Sequence, residues 1–238
     1  MKKFGCVIPV YNRVDYFKQC LDSIEKSIDK REQNLIQFVI YNDGSTDPEV
    51  LKVAKKFKKT FTNTLIVDNK RNAGVNNAIF SGFDKLLDTD VDYFMNLDAD
   101  AVVSSQWLPG IRKVLEEVAP KYEKFILTTF EGGRKNKLAI KGNYRNVSKI
   151  SGLNTVFSRN LYLELRNSTV QVQRVKSKDI YILNPKVREK YWDGAVGIIA
   201  RTLKITLLTT VPGLAQHIGE EGLNSFEGNY LKSDNFAN

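Results

Sequence analysis

Apolar runs and helical stripes alternate along the first half of this chain, and no other feature restricts its fold as much. The run from Phe4 to Tyr11 is almost continuously apolar, which is typical of a strand buried on both faces of a parallel sheet. The next stretch places apolar side chains at helical spacing, and these are Val14, Phe17, Leu21, Ile24 and Ile28. Repeated strand–helix units of this kind predict an α/β fold, in which helices flank both faces of a mostly parallel sheet.

The same reasoning assigns the remaining elements. Further strands are predicted at 37–41, 65–67, 93–97, 125–130, 154–157 and 205–209. Further helices are predicted to begin at Pro48, with Asp47 as a cap, and to cover 75–87, 106–118 and 192–203. Residues 132–149 and 167–186 are polar, basic and without a clear period, so we expect mobile loops there. No repeat and no Pro-, Gly- or Ser-rich linker divides the chain, which favours a single fused domain.

The charge balance of the chain favours polyanionic partners. Its 36 basic and 27 acidic residues give a net charge of +9, which suits nucleotides, nucleic acid or an anionic membrane surface. No apolar run approaches the roughly 20 residues that a membrane-spanning helix needs. Cys6 and Cys20 fall on a predicted core strand and an apolar helix face, so both are expected to be reduced. We therefore expect a cytoplasmic protein without a transmembrane segment, at most attached to a membrane surface.

Polar residues follow each of the first four predicted strands. They are Tyr11-Asn12, Asn42 to Ser45, Asn69 to Gly74, and the pair Asp98 and Asp100. Because the carboxyl ends of parallel strands share one edge of the sheet, these residues are expected to line one crevice. Tyr11 can stack on a nucleoside base there, and Asp43 can accept a hydrogen bond from a base N–H. The alternative is that these segments are plain turns, whose glycines only supply a positive φ.

The sequence Asp98-Ala99-Asp100 ends the fourth predicted strand with two carboxylates. Two neighbouring carboxylates repel each other and gain nothing from an apolar core. A divalent cation would remove this repulsion, and a small set of oxygen ligands suits Mg²⁺ or Mn²⁺ shared with the phosphates of a substrate. The pair therefore indicates a metal site for a diphosphate. A helix-capping aspartate beside a solvated neighbour would give the same pattern.

Four segments, in this order and spacing, resemble the signatures of family 2 glycosyltransferases of the GT-A fold. They are Ile8 to Asn12, Asn42 to Asp47, Asn72 to Ala78 and Leu97 to Asp100. The resemblance implies a Rossmann-like sheet, a nucleotide-sugar donor, with a UDP-sugar expected first, and Mn²⁺ or Mg²⁺ as cofactor. It also implies that residues 1–104 form the nucleotide-sugar-binding half of the domain. Residues 105–238 would form its acceptor-binding and catalytic-base half.

Roles for individual residues follow from this resemblance. The implied donor-binding residues are Pro9, Tyr11, Asn12, Asp43, Arg71, Asn72, Asn76 and Asp98. Among these, Pro9, Tyr11 and Asp43 are implied to hold the base, and Asp98 is implied to face the ribose. Asp100 is implied to bind the metal on the diphosphate, with Asp98 beside it.

Three sites in the second half complete the resemblance. Asp193 matches the family's general base at the start of a helix, although Trp192 stands where the family usually has an acidic residue. Gly152 lies in a loop that resembles the one beneath the donor sugar, and with Trp192 it is expected to face the acceptor. His217, the only histidine, lies in a C-terminal segment of the kind that often supplies a third metal ligand. The alternatives are that Asp193 is a helix cap and that His217 is a structural residue.

The predicted activity is metal-dependent transfer of a sugar from the nucleotide-sugar to a hydroxyl acceptor. An alcohol is a poor nucleophile, so a carboxylate must take its proton, and attack opposite the leaving group predicts inversion of the anomeric centre. Arg71 or Arg201 could offset charge on the leaving diphosphate. The acceptor is predicted to be a surface glycan or a glycolipid. The alternatives are a hydroxymethylated base of phage DNA as acceptor, or a nucleotidyltransferase that releases pyrophosphate.

Overall fold

The computed structural model describes residues 1–131, 139–167, 171–173, 180–182, 192–219 and 236–237. The strands are β1 Phe4–Val10, β2 Ile36–Asp43, β3 Thr64–Asn69, β4 Tyr93–Asn96, β5 Ala101–Val103, β6 Phe125–Thr128, β7 Ile140–Lys141, β8 Tyr144–Asn146, β9 Thr155–Ser158, β10 Gln171–Gln173, β11 Ile180–Ile182, β12 Thr206–Thr210 and β13 Ala215–His217. The helices are α1 Val14–Ser27, α2 Glu49–Thr60, α3 Val75–Leu86, α4 Trp107–Val118, α5 Arg159–Arg166 and α6 Trp192–Thr202, with a 3₁₀ helix at Lys30–Leu35.

Nine of these strands form one continuous sheet in the order β3-β2-β1-β4-β9-β6-β12-β8-β7. The first four are parallel to one another, whereas β9 runs antiparallel to both of its neighbours, β4 and β6. The chain builds outward from β1 to β3 and then crosses back to place β4 on the other side of β1. Open α/β sheets bind ligands at such a reversal, outside the carboxyl ends of the strands. The candidate crevice therefore lies beyond the ends of β1 and β4.

Helices cover both faces of this sheet, and each face has its own apolar core. Helices α1, α2 and α4 pack on one face, where Phe17, Phe57 and Trp107 are among the largest buried side chains. Helices α3, α5 and α6 pack on the other face around Phe83, which stacks on Phe94 of β4 with 5.7 Å between ring centroids. Burial of such side chains contributes about 25 cal/mol per Å² of apolar surface. This packing holds the strand ends, and the loops that follow them, in place.

The predicted fold class is confirmed, since a mostly parallel sheet with helices on both faces forms one fused unit. Each strand and helix predicted above occurs within a few residues of its predicted bounds. Helix α2 begins at Glu49, whose backbone N–H donates to Asp47 Oδ1 at 2.8 Å, as expected of a cap. Cys6 and Cys20 are buried free thiols. No helix in the described ranges is long and apolar enough to cross a membrane.

The two segments predicted to be mobile loops contain regular structure, so that prediction is wrong in part. Strands β7 and β8 form a hairpin that extends the main sheet beside β12, and its turn contains Gly142 with φ +74°. The dipeptide Gly142-Asn143 is a hairpin signal, which the polar neighbours concealed. Strands β10 and β11 pair in the second segment, and residues 132–138, 168–170, 174–179 and 183–186 lie outside the described residues. The short helix α5 was not predicted either.

A separate two-stranded ribbon connects the C-terminal part of the chain to the acidic pair. Strand β13 pairs antiparallel with β5, which places His217 opposite Ala101. The backbone N–H of Ile218 donates to the carbonyl of Asp100 at 2.9 Å. The ribbon thus fixes His217 beside Asp100 by backbone hydrogen bonds between segments that are distant in the sequence.

Candidate functional site

Asp43, in the last position of β2, holds the loop that leads into α3. It is 3% exposed; its Oδ1 accepts from the backbone N–H of Ala73 at 3.0 Å and its Oδ2 from that of Gly74 at 2.8 Å. The side-chain amide of Asn69 also donates to Oδ1 at 3.3 Å. A hydrogen bond from a nucleoside base would therefore have to share these oxygens. Asp43 has a structural role at this edge whatever ligand binds there.

Asn12 and Gly44 join the loops after β1, β2 and β3 into one packed unit. The Oδ1 of Asn12 accepts from the backbone N–H of Thr46 at 2.9 Å, so its side chain serves the neighbouring loop. Gly44 has φ +75°, and a Cβ on it would lie 2.5 Å from the carbonyl carbon of Arg71. Only glycine combines this conformation with so close an approach. The strand-end loops thus lie together at one edge of the sheet, as predicted. The positive φ of Gly44 is also what the plain-turn alternative expects.

The other predicted donor residues of the first half differ in exposure. Pro9 is buried within β1, whereas Tyr11 is 38% exposed just beyond its end. Arg71 and Asn72 are exposed in the loop after β3, where Asn72 Oδ1 accepts from the N–H of Gly74 at 3.0 Å. Tyr11 therefore offers an exposed aromatic ring at this edge, as stacking on a base requires.

Asp100 is the centre of a compact cluster of charges. Its Oδ2 lies 2.7 Å from Nη1 of Arg13 and 3.2 Å from Nε2 of His217. Arg13 follows β1 in a left-handed backbone conformation with φ 55°. A Cβ on Gly219 would come within 2.5 Å of the same carboxylate oxygen, so this glycine permits the close approach of the C-terminal segment. Sequence reasoning gave Arg13 no role, and only its place next to a strand-end loop could have indicated one.

The two aspartates of the pair have opposite pKa shifts. Burial raises the pKa of Asp98 well above its usual range, and the charges of Asp100 and Asp193 raise it further. Burial also acts to raise the pKa of Asp100, but the hydrogen bond from His217 and the charges of His217 and Arg13 outweigh it and lower that pKa. Asp100 is thus held as an anion, while Asp98 lies where a further negative charge is unfavourable.

The chemistry of this cluster fits a divalent cation that is shared with a ligand. Carboxylate oxygens such as those of Asp98 and Asp100 suit Mg²⁺ and Mn²⁺, and the imidazole of His217 favours a transition metal such as Mn²⁺. Across the described ranges, no three His, Cys, Asp or Glu side chains are close enough to hold a metal ion by themselves. Mg²⁺ and Mn²⁺ commonly take one or two carboxylates and complete their shell with water and phosphate. The residues therefore fit a cation that a diphosphate helps to bind.

Asp193 lies in the first turn of α6 and contacts the loop of Gly152. Burial raises the pKa of Asp193, against the effect of hydrogen bonds from the backbone N–H groups of Gly194 and Gly152, which lower it. A Cβ on Gly152 would lie 3.3 Å from Cγ of Asp193 and 3.3 Å from Nε1 of Trp192. The bond from Gly194, at 2.9 Å, comes from the next residue along the chain, whereas a capping side chain accepts from the second or third residue after it. The structure thus brings Asp193, Trp192 and Gly152 together.

Trp192 is only 5% exposed, so the expected contact with an acceptor has little ring surface available. Its ring meets that of Phe80 on α3 edge-on, with 6.4 Å between the ring centroids. Packing of this kind fixes the start of α6, because the contact between two aromatic rings stabilises the fold by more than the burial of their apolar surface alone. Trp192 therefore positions its neighbour Asp193.

A buried amide network links the acidic pair to the loop beneath Asp193, and sequence reasoning missed it. Asn96, in the last position of β4, is fully buried, and its Nδ2 donates to the carbonyl of Gly152 and to Oδ1 of Asp98, the latter at 3.4 Å. Asn154 accepts from Nε1 of Trp107 at 2.9 Å and donates to the carbonyl of Asn96. The available signal was an asparagine inside an apolar strand, since a buried amide requires partners.

Two further residues named in the sequence analysis lie apart from these contacts. Arg201 is in the last turn of α6, where its Nη1 donates to the carbonyl of Ser148 at 3.2 Å. It is about 12 Å along the helix from Asp193, so it does not join the charge cluster. Asn76, in the first turn of α3, is 3% exposed, and within the described part of the chain neither Nδ2 nor Oδ1 of its side chain has a hydrogen-bond partner.

Comparison with known protein sequences gives a family match that includes the strand-end loops and the acidic pair but not Asp193 or His217. The family described as glycosyl transferase family 2 matches residues 6–164. The chain is 30% identical over 119 residues to an undecaprenyl-phosphate 4-deoxy-4-formamido-L-arabinose transferase of Proteus mirabilis, which covers 49% of this chain and 35% of that protein. It is 28% identical over 106 residues to a poly(ribitol-phosphate) beta-glucosyltransferase of Bacillus spizizenii, which covers 44% and 16%. The chain thus spans about a third or less of the length of these relatives.

Two solved structures share the fold. TarS 1-349 of S. aureus superposes with a TM-score of 0.52 at 18% identity, over 68% of this chain and 48% of that one. The mannosyltransferase PcManGT of Pyrobaculum calidifontis, solved in complex with GDP-Man and Mn²⁺, gives 0.54 at 16% identity, over 68% and 46%. At these identities the likeness establishes the GT-A fold.

Proposed function

The chain belongs to glycosyl transferase family 2, and from this premise we propose that it transfers a sugar from a nucleotide-sugar to a hydroxyl group of an acceptor. The observation that carries the proposal is the meeting of three carboxylates at the reversal between β1 and β4. Asp98 lies close enough to Asp100 and Asp193 for both of their charges to raise its pKa. One edge of the sheet therefore offers an anionic site for a cation and diphosphate, and a proton acceptor next to it.

The nucleotide is proposed to lie along the loops that Asp43 holds together. The exposed ring of Tyr11 would stack on the base, with Pro9 behind it and Asn12 fixing the loop beside it. Arg71 is exposed in the loop after β3, where its charge suits a diphosphate. UDP-sugars are the donors to test first, followed by GDP-sugars.

Asp193 is proposed as the general base. Burial raises its pKa, which makes its carboxylate a stronger proton acceptor than an exposed aspartate. The acceptor O–H gives its proton to Asp193 while its oxygen bonds to the anomeric carbon. The bond from that carbon to the diphosphate breaks on the opposite side, and its electron pair leaves with the nucleoside diphosphate. A single displacement of this kind inverts the anomeric centre.

Asp100, with Asp98 and His217, is proposed to hold Mn²⁺ or Mg²⁺. When bound, such a cation supplies positive charge that offsets the charge of the leaving diphosphate. Arg13 is the chain's own positive charge at this point, 2.7 Å from Asp100. It keeps the carboxylate ionised before a donor arrives.

The acceptor is proposed to be a hydroxyl group of a surface glycan or a glycolipid. The relatives described above are named for undecaprenyl-phosphate and for poly(ribitol-phosphate). A net charge of +9 suits anionic carriers of this type. Neither of those names refers to a nucleic acid, so the hydroxymethylated DNA base stands as an alternative for the test. With a lipid-borne acceptor the enzyme would work from the cytoplasm at a membrane surface.

Release of nucleoside diphosphate tests the proposal. The protein is incubated with Mn²⁺ and, in turn, UDP-glucose, UDP-N-acetylglucosamine and GDP-mannose, together with glycolipid, teichoic polymer or hydroxymethylated DNA. We expect one nucleoside diphosphate to be released for each sugar transferred to a glycan or lipid acceptor. Labelled DNA would favour the alternative acceptor, and released pyrophosphate would favour a nucleotidyltransferase. Failure to bind or consume any of these donors would contradict the proposal.

A further inference from the structure

Asn76 has an unsatisfied amide in the interior of the protein. Its side chain is 3% exposed, and its Nδ2 and Oδ1 are both buried without a hydrogen-bond partner among the residues that the structure describes. Leaving such a group unpaired lowers the stability of the fold. Its neighbour Asn77 is half-buried, and its Oδ1 accepts from Ser81 Oγ at 3.4 Å. The fold alone gives no reason for a polar side chain at position 76, where leucine would fill the space without this cost.

The position of Asn76 directs it towards the candidate site. Helix α3 follows β3, so its first turn lies at the edge of the sheet where the strand-end loops meet. Asn76 is on the same helix face as Phe80, one turn later, and Phe80 contacts the ring of Trp192. Helical side chains lean towards the N-terminus, so the Asn76 amide lies beyond that aromatic contact on the side of the site edge. The Gly152 loop packs against Trp192 and Asp193, next to this aromatic contact.

The two unpaired atoms specify the ligand chemistry. An amide presents a donor and an acceptor side by side, and a hydroxyl group also both donates and accepts. A phosphate could pair only with Nδ2 and would leave Oδ1 unsatisfied. The nucleoside base is assigned to Tyr11, on the far side of the loop that Asp43 holds. Hydroxyl groups of the donor's sugar, next to the proposed base Asp193, satisfy both atoms.

We propose that Asn76 binds hydroxyl groups of the sugar in the nucleotide-sugar and thereby selects which sugar is transferred; this rests on the proposed function. A site built to hydrogen-bond a hydroxyl group discriminates strongly against a ligand that lacks it, because its own polar atoms are then left unpaired. Asn76 is on this account a specificity residue. The base and the ribose, which UDP and GDP also contain, are recognised elsewhere.

The test compares ligands with and without the sugar. Binding of UDP-glucose, UDP-N-acetylglucosamine and GDP-mannose, and of UDP and GDP, is measured by calorimetry in Mn²⁺ for the native protein, Asn76→Leu and the control Asn77→Leu. We expect Asn76→Leu to lose at least about tenfold in affinity for the nucleotide-sugar that binds the native protein. Its affinity for the matching nucleoside diphosphate should be unchanged, and its melting temperature should be equal or higher. Asn77→Leu should leave both affinities near native.

Other outcomes overturn the assignment. If Asn76→Leu loses the same affinity for the nucleotide-sugar and the nucleoside diphosphate, or loses affinity for neither, then Asn76 does not bind the sugar. If Asn76→Leu does not fold, Asn76→Ala removes the same polar atoms with a smaller side chain and gives the same comparison. A native protein that binds UDP or GDP but gains nothing from the attached sugar would overturn the role of Asn76 and leave the nucleotide site intact. A native protein that binds none of the five ligands would overturn the proposed function itself.

Discussion

The charge cluster around Asp100 and the loop contacts around Asp193 each hold a carboxylate, but they place it in opposite electrostatic environments. Asp100 receives Arg13 at 2.7 Å and His217 at 3.2 Å, and these partners outweigh burial and lower its pKa. Asp193 accepts hydrogen bonds from the backbone N–H groups of Gly152 and Gly194, and burial prevails and raises its pKa. One carboxylate is held as an anion, and the other has an increased affinity for a proton.

This difference shows how one edge of a sheet can serve two chemical steps. A carboxylate with compensating cations remains charged and can hold a metal ion against a diphosphate. A carboxylate whose charge is poorly compensated takes up a proton more readily, which a general base requires. The pKa of Asp98 responds to both neighbours, so the two regions are coupled through it. Each prediction below alters one region and leaves the other as its control.

The largest expected effect is on the Asp193 side. Asp193→Asn preserves the shape of the side chain but cannot accept the acceptor's proton, so transfer should fall by about 10²–10⁴-fold. The affinity for the donor, measured by calorimetry, should stay near native. The rate of the native protein should rise with pH through the raised pKa of Asp193, and the variant should lack this limb. A variant that keeps most of its transfer activity would show that another group is the base and that Asp193 only caps α6.

A smaller loss is expected when the Asp100 cluster loses its imidazole. His217→Ala should weaken Mn²⁺-dependent donor binding by about 10- to 100-fold, as expected when a group that orders a metal site is removed. The backbone pairing of β13 with β5 does not use this side chain, so the melting temperature should change little. Gln216→Ala on the same strand is the matched control. Collapse of the fold with unchanged donor affinity in the remaining native fraction would make His217 a structural residue.

Two glycines allow each region to be disturbed by a single methyl group. A Cβ on Gly152 would lie 3.3 Å from Asp193, so Gly152→Ala should lower the rate of transfer by about tenfold, since small displacements of catalytic groups are costly. The affinity for the nucleoside diphosphate, which lacks the sugar, should be unchanged. A Cβ on Gly219 would come within 2.5 Å of Asp100, so Gly219→Ala should instead weaken Mn²⁺-dependent donor binding. Steady-state kinetics and calorimetry on both variants measure this crossover. The same response in both variants would mean that the two regions act as one.

The smallest effects are expected in stability, and they should have opposite signs. A raised carboxyl pKa means that stability is lost as pH rises through the folded-state value, so Asp193→Asn should melt at a higher temperature than the native protein at neutral pH. A lowered pKa contributes stability above the ordinary value of 3.8, so Asp100→Asn should melt at a lower temperature. Shifts of about 2–4 °C per kcal/mol are expected for a domain of this size.

Calorimetric scans at neutral pH and near pH 4, without added metal, check these signs. The Asp193 difference should shrink at the lower pH, because protonation then makes the native side chain resemble the amide that replaces it. The Asp100 difference should largely persist near pH 4, because the lowered pKa keeps that carboxylate ionised in the folded protein. Shifts of the same sign in both variants would contradict the electrostatic contrast between the two regions.

The sequence was sufficient for the regions that depend on local patterns. Strands β1 to β4 were predicted from apolar runs, and the turns at Gly44 and Gly74 from residues that tolerate positive φ. The acidic pair was recognisable because two carboxylates at the end of a buried strand conflict with the apolar core. Each of these patterns spans only a few neighbouring residues, so it can be recognised without knowledge of the fold.

The regions that the sequence did not reveal depend on contacts between distant segments. Strands β5 and β13 have three residues each, too few for a periodic pattern, yet their pairing delivers His217 to the acidic pair. Asn96 donates to Gly152 on the loop before β9, and Arg13 reaches Asp100 from the end of another strand. The contacts of such side chains can be assigned only when the order of the strands in the sheet is known.

Calorimetry of nucleoside diphosphate binding tests the division between the two carboxylates most directly, because it needs no acceptor. UDP or GDP, whichever the donor screen selects, is titrated into the native protein, Asp100→Asn and Asp193→Asn, with and without Mn²⁺. The account predicts that Mn²⁺ strengthens binding to the native protein and to Asp193→Asn, and that it has no such effect on Asp100→Asn. Equal affinity with and without Mn²⁺ for the native protein, or the same loss in both variants, would contradict it.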